Sequence, residues 1–214
     1  VQLRCGHPAL KGLKGIRTQA ELTLMIDDQA VLRETGELLL TDYGVSGVCV
    51  FQLSREAAPA LAQRRSVRLA VNFLPEIPSL LPWLDARIRQ LAPASLLALT
   101  TGVLPRLLAQ TVIREARLSP DMPAEALSES EKQALCGALS AFPLVVTGTQ
   151  GFANAQVTRG GVSLADVDPS TMASRLFDGL HIIGELLDVD GPCGGYNLHF
   201  AFAGALAAAK AIAG

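Results

Sequence analysis

The chain predicts an α+β fold in which strand-forming segments flank a helical insert and a strand–helix pair ends the sequence. Three observations predict it. Residues 1–75 carry alternating, β-forming patterns, residues 76–140 place apolar side chains at helical spacing, and residues 141–179 return to strand character. Residues 180–214 then run from a short apolar stretch through acids and glycines into a long Ala-rich helix.

In order along the chain, Ile16–Ile26 reads as a strand, Asp27-Asp28 as a turn, and Gln29–Thr35 as the returning arm of a hairpin. Leu38–Thr41 continues the sheet, Gly44–Gly47 reads as a turn, and Val67–Phe73 is a further strand. Val48–Ser54 is open between two readings: its β-branched residues favour a strand, while Ser46 as a cap favours a short helix. Leu80, Leu81, Leu84, Ile88 and Leu91 recur at helical spacing, as do Val103, Leu104, Leu107, Leu108, Val112 and Ile113. Ser128-x-x-Glu131 is a capping box ahead of a third helix. Strands resume at Leu144–Thr147 and Ala155–Thr158, and Asp168-Pro169 reads as a cap followed by proline in a first helical turn. An insert of this size depends on its neighbours for stability.

Composition narrows the function. The chain has 214 residues, is 50% hydrophobic and carries a net charge of −2, enough apolar material for a sizeable core and no field that would recruit nucleic acid or an anionic membrane. The basic cluster Arg64, Arg65 and Arg68 reads as a solvated strand edge. Cys5, Cys49, Cys136 and Cys193 are widely spaced, which points to free thiols, a reducing cytoplasmic compartment, and neither a disulfide framework nor a zinc site. His7, His181 and His199 lack ligand spacing, so no metal site is expected.

Residues 184–198 carry the chemistry. Leu180-His181-Ile182-Ile183 reads as a buried strand, followed by three acids (Glu185, Asp188, Asp190) and four glycines (Gly184, Gly191, Gly194, Gly195) before the terminal helix. Acids and glycines directly after a buried strand are the layout of a ligand site at the carboxyl end of a sheet. Glycine lets a ligand approach the backbone, and the start of a helix offers unpaired N–H groups and positive partial charge. Gly194, Gly195, Tyr196, Asn197 and Leu198 occupy that start, with Asn197 as the expected cap. Taken alone, Asp190-Gly191-Pro192 reads as a bare turn. The helix from Leu198 to Gly214 has Lys210 as its one charged side chain, so it is built for burial.

These residues resemble a bacterial family of FAD-dependent oxidoreductases, the HI0933-like or BaiN-like flavoproteins. The Gly184–Leu198 block is similar to that family's C-terminal flavin-contacting signature. Gly36–Gly47 and the pair Phe142–Phe152 and Ala155–Val162 are similar to two further family segments, in family order. The resemblance implies a split antiparallel β-barrel-like module (1–75 and 141–179), a helical subdomain (76–140), and a C-terminal piece of a FAD-binding Rossmann-type domain (180–214). It implies that Gly184, Glu185, Asp188, Asp190, Gly194, Gly195, Tyr196, Asn197 and Leu198 contact FAD, and that Thr158, Arg159, Gly160 and Gly161 lie on the substrate side. The implied role is to cover and contact the isoalloxazine and ribityl chain, with NAD(P)H as a donor the family allows and a small molecule as substrate. No Gly-x-Gly-x-x-Gly unit occurs here, so the expected partner is a missing N-terminal nucleotide-binding domain, and FAD binding by this chain alone is expected to be weak or absent. The alternative is a non-catalytic interaction domain that self-associates through its Ala-rich helix.

Overall fold

A computed structural model describes all residues, Val1–Gly214, as two compact units, Val1–Gln150 and Gly151–Gly214. The first unit contains β1 (Leu3–Cys5), β2 (Arg17–Ile26), β3 (Gln29–Leu40), β4 (Gly44–Ser46), β5 (Val67–Asn72) and β6 (Phe142–Thr149). These strands form a closed barrel in the order β1-β4-β3-β2-β5-β6, with every neighbour antiparallel and β1 pairing β6 to complete the ring. Alternation decides what faces inward: Leu22, Leu24 and Ile26 of β2, Val67, Leu69 and Val71 of β5, and Phe142, Leu144 and Val146 of β6 are all buried.

The β2–β3 turn follows from Asp27 and Asp28, both at positive φ (+49° and +64°), the backbone that a tight two-residue hairpin requires. Asp27 accepts hydrogen bonds from Arg65 Nε at 2.7 Å and the Ser66 backbone N–H at 3.0 Å, and Arg68 pairs with Asp28. Two of the three clustered arginines are therefore neutralised on the barrel rim.

Val48–Ala62 forms a helix, α1, and not a strand. Its buried Cys49, Val50, Leu53, Ala57 and Ala60 lie along one helical face, packed chiefly on β3. Gly47 precedes the helix; Ser46 belongs to β4 and does not cap it. The expected Gly44–Gly47 turn is thus corrected to a short strand. Gly44 runs at φ +151°, and a side chain there would stand 2.2 Å from the Leu3 carbonyl oxygen, so glycine permits the close pairing with β1.

Between β5 and β6 lie α2 (Leu80–Leu91), α3 (Leu96–Leu99), α4 (Arg106–Glu115) and α5 (Glu129–Ser140). The capping box forms as the spacing predicts, with Ser128 and Glu131 exchanging hydrogen bonds. Leu84, Leu108, Val112, Ile113 and Leu139 join one continuous core with the barrel. The strands on either side of the insert pair directly, β5 with β6, so the chain leaves the barrel and re-enters it next to where it left.

The second unit, Gly151–Gly214, contains the terminal helix α6 (Tyr196–Ala213), short turns and isolated bridges. Three sequence expectations are corrected here. Ala155–Thr158 is irregular, because β6 ends at Thr149 and Gly151, at φ +79°, turns the chain. Asp168-Pro169 begins a hydrogen-bonded turn and no helix. The Met172 N–H returns to the Asp168 carbonyl at 2.7 Å, and the positive φ of Met172 (+57°) stops propagation. Leu180–Ile183 is extended without being a buried strand: its single ladder contact is the His181–Ala173 bridge, and Leu180 and Ile183 are exposed. A strand needs lateral partners along its length, and here the pairing is limited to the short Met172–Ser174 segment, through the bonds Ser174 N–H to Leu180 carbonyl and Ile182 N–H to Met172 carbonyl. A small core of Val167, Met172, Leu187 and Ala208 holds the unit together.

Candidate functional site

Two loops singled out from the sequence meet in the second unit. The Val162 N–H donates to the Leu186 carbonyl at 2.8 Å, and the Asp188 N–H donates to the Val162 carbonyl at 2.9 Å. The Asp188 carboxylate then accepts from the Gly160 N–H at 3.1 Å. Gly161 sits inside this junction, where a Cβ would lie 2.6 Å from the Leu186 carbonyl oxygen and 2.9 Å from the Asp188 nitrogen. The loop that carries Thr158, Arg159, Gly160 and Gly161 is therefore bonded to the loop that carries Asp188, and Thr158 and Arg159 are exposed.

Gly184–Leu186 forms a single 3-10 turn. Gly184, at φ +62°, packs so closely that its Cβ would stand 3.4 Å from Cβ of Ala201 on α6. This glycine seats the acid-bearing loop on the helix. Glu185 stands exposed in that turn, while Asp190 is half-buried.

The start of α6 differs from the expectation. The helix begins at Tyr196, and its cap is Gly195 in the left-handed conformation (φ +94°), after Gly194 at φ +123°. Asn197 is already inside the helix and does not cap it. Its side chain reaches back to Gly191 instead: the Gly191 N–H donates to Asn197 Oδ1 at 2.7 Å, and Asn197 Nδ2 donates to the Gly191 carbonyl at 3.1 Å. The first intrahelical bond runs from the His199 N–H to the Gly195 carbonyl at 2.9 Å, so the N–H groups of Tyr196, Asn197 and Leu198 have no acceptor within the helix. Gly194 and Gly195 are exposed, and a Cβ on Gly195 would meet nothing within 4 Å.

The site is thus an open, glycine-edged surface with backbone donors, carboxylates and the positive end of an 18-residue helix. It can hold a flat or anionic group against N–H donors and accept hydrogen bonds from hydroxyls. The backbone contacts of Val162 and Leu186 were not legible in the sequence; Gly191 was legible as one of the four glycines of the block, and its bond to Asn197 was not. Cys193 lies in the same loop and is half-buried; in the first unit, burial pushes the Cys5 thiol up to about 12, which makes it inert. No helix is long and apolar enough to cross a membrane.

A closed six-stranded barrel interrupted by four helices and followed by a glycine-edged helix start defines a barrel-with-helical-insert protein. The chain belongs to the HI0933-like family: residues 1–157 match its HI0933-like protein barrel and H2TH domain. It is 36% identical over 209 residues to the 3-dehydro-bile acid delta(4,6)-reductase of Clostridium scindens, covering 97% of this chain and 51% of that protein. It is 32% identical over 202 residues to the ribosomal RNA dihydrouridine synthase of Escherichia coli, covering 94% of this chain and 47% of that protein. A ribosomal RNA dihydrouridine synthase of Haemophilus influenzae is 30% identical over 177 residues, covering 82% of this chain and 42% of that protein. The chain therefore spans about half the length of the curated relatives it matches.

Proposed function

We propose that this chain is part of a flavin-dependent reductase that saturates a carbon–carbon double bond, and that residues 158–161 and 184–198 form the flavin-facing part of its site. The observation that carries the reading is the start of α6: exposed Gly194 and Gly195 ahead of three N–H groups with no acceptor in the helix. This surface is compatible with a flavin, because Gly194 and Gly195 put no side chain of their own between the helix start and a flat ring. The donors and the helix dipole favour the negative charge that a flavin gains at its pyrimidine edge on reduction. In this reading Glu185 and Asp190 would accept from ribityl hydroxyls, and the loop carrying Arg159, bonded to Asp188 through Gly160, would face the substrate. When bound, the flavin supplies the two-electron chemistry, and the chain supplies orientation and electrostatics.

The choice of reaction rests on the relatives' named activities. A delta(4,6)-reductase and a dihydrouridine synthase both add hydrogen to unsaturated carbon, although on unlike substrates. The donor of the electrons is proposed to be NAD(P)H, the compartment cytoplasmic, and the substrate a small molecule. The remainder of the protein is proposed to supply the nucleotide-binding unit that receives the ADP half of FAD. That unit would also cover the outer face of α6, where Leu198, Phe202 and Leu206 are 67%, 69% and 63% exposed at four-residue spacing. The same face favours a second reading, a non-catalytic chain that self-associates through α6.

The deciding experiment is anaerobic: purify the full-length protein, add NADH or NADPH, and follow the visible flavin bands. Bleaching by the nicotinamide, then recovery when a conjugated enone is supplied, is the expected result. A colourless protein that dimerises would favour the second reading.

A further inference from the structure

We infer that Asn197 is a positioning residue, whose carboxamide holds the Gly191–Gly195 loop in the shape that admits the flavin at the start of α6; this rests on the reading just proposed. The two bonds of Asn197 go to the N–H and the carbonyl of one residue, Gly191. A side-chain amide making both contacts acts as one rung of an antiparallel ladder, fixing the orientation of the peptide groups on either side. The loop it closes, Gly191-Pro192-Cys193-Gly194-Gly195, leads directly into the first turn of α6.

The space around Gly191 supports the assignment independently. Its φ lies outside the left-handed range, so backbone freedom is not why glycine stands there. A Cβ at this position would lie 3.2 Å from Asn197 Oδ1 and 3.4 Å from Tyr196 Cβ. The glycine makes room for the amide. The two glycines beyond it, Gly194 and Gly195, have no packing reason inside this chain to keep their conformation, since the nearest atoms to their added Cβ positions are the Tyr196 ring or none. A loop of that kind is ordered by its anchors. With the amide removed, the ordering cost falls on ligand binding.

Asparagine is required on chemical grounds. Aspartate would keep the acceptor for the Gly191 N–H but lose the donor to its carbonyl, and it would place a negative charge at the α6 start. That charge opposes the one a reduced flavin carries.

The test uses the full-length holoprotein with three variants, Asn197→Ala, Asn197→Asp and Gly191→Ala. FAD affinity, flavin midpoint potential and thermal unfolding of the FAD-stripped protein are measured on each. Asn197→Ala and Gly191→Ala are expected to raise the FAD dissociation constant about tenfold, the scale of two neutral hydrogen bonds. Asn197→Asp is expected to shift the midpoint potential to more negative values, a change that a purely structural residue would not produce. Wild-type affinity and potential in Asn197→Ala and Asn197→Asp overturn the assignment. If Asn197→Ala also lowers the melting point of the stripped protein, the potential of Asn197→Asp decides, and an unshifted potential overturns it. A wild-type protein that binds no flavin overturns the inference together with the reading beneath it, whereas a flavoprotein indifferent to Asn197 overturns the inference alone.

Discussion

The carboxylate of Asp188 accepts a hydrogen bond from the backbone N–H of Gly160 across 3.1 Å, tying together two loops separated by 28 residues. A carboxylate that accepts from a backbone N–H holds a loop more firmly than a neutral acceptor does. Asp188→Ala is expected to free the Thr158–Gly161 loop while the backbone bonds of Val162 persist. Hydrogen exchange at Gly160 and Gly161 should rise in the variant and stay unchanged in the barrel.

Gly161 should tolerate no side chain. Gly161→Ala puts a methyl 2.6 Å from the Leu186 carbonyl oxygen and 2.7 Å from the Leu187 carbonyl carbon, and these are backbone atoms without a rotamer to move. A loss of about 2–4 kcal/mol is expected for the second unit, seen as its earlier unfolding in urea. Gly44→Ala should be as damaging to the barrel, since its methyl would meet the Leu3 carbonyl oxygen at 2.2 Å and the Cys5 nitrogen at 2.6 Å.

Arg87 ties α2 to the end of α3. Its Nε donates to the Leu99 carbonyl at 2.6 Å, its Nη2 donates to the Thr101 carbonyl at 3.1 Å, and its guanidinium lies 5.4 Å from the Trp83 ring centroid. A lysine cannot reproduce that fork. Arg87→Lys is expected to cost about 1–2 kcal/mol by chemical denaturation, and Arg87→Ala somewhat more.

Acid should loosen the insert at the start of α5. The Ser128 hydroxyl donates to Glu131 at 2.6 Å and the Ser128 N–H donates to it at 2.8 Å; these bonds hold the Glu131 carboxyl below its usual range. A group with a lowered folded-state pKa stabilises above its unfolded pKa, and that stability is lost as pH falls through the folded value. Stability measured downward from about pH 5 should therefore decline more in wild type than in Glu131→Gln. Ser128→Ala should cost about 1 kcal/mol at neutral pH.

Local signals were legible where the physics is local. Asp27-Asp28 marks its hairpin, Ser128-x-x-Glu131 marks its helix start, and the apolar spacing in Leu80–Leu91 and Val103–Ile113 marks two helices. The second starts only at Arg106, because Pro105 caps it and leaves Val103 and Leu104 outside. The return of the chain to the barrel after the insert was legible from the change of periodicity and back. Three things were not. Leu180–Ile183 has the residues of a buried strand, but its pairing in residues 151–214 is a single bridge to Ala173, and that depends on the fold and not on local sequence. Gly44–Ser46 reads as a turn because its pairing with β1 depends on a backbone approach that only the fold creates. Asn197 has the chemistry of a cap, and its place two residues past the cap position lets it hold Gly191 instead. In the candidate site, the run of glycines and acids was legible in the sequence, its proposed role came from the family resemblance, and the contact between residues 160 and 188 required the fold.

The most direct test of the account is a titration of FAD, followed by flavin fluorescence and heat, into the flavin-stripped full-length protein and into residues 1–214 alone. On the proposed reading the Gly184–Leu198 surface would contact only the ribityl and isoalloxazine end, and the pyrophosphate needs a glycine-rich strand–turn–helix whose Gly-x-Gly-x-x-Gly pattern does not occur in these 214 residues. The account predicts tight, one-to-one binding by the full-length protein and weak or absent binding by the 214-residue chain. Tight stoichiometric binding by residues 1–214, or none by the full-length protein, would contradict it.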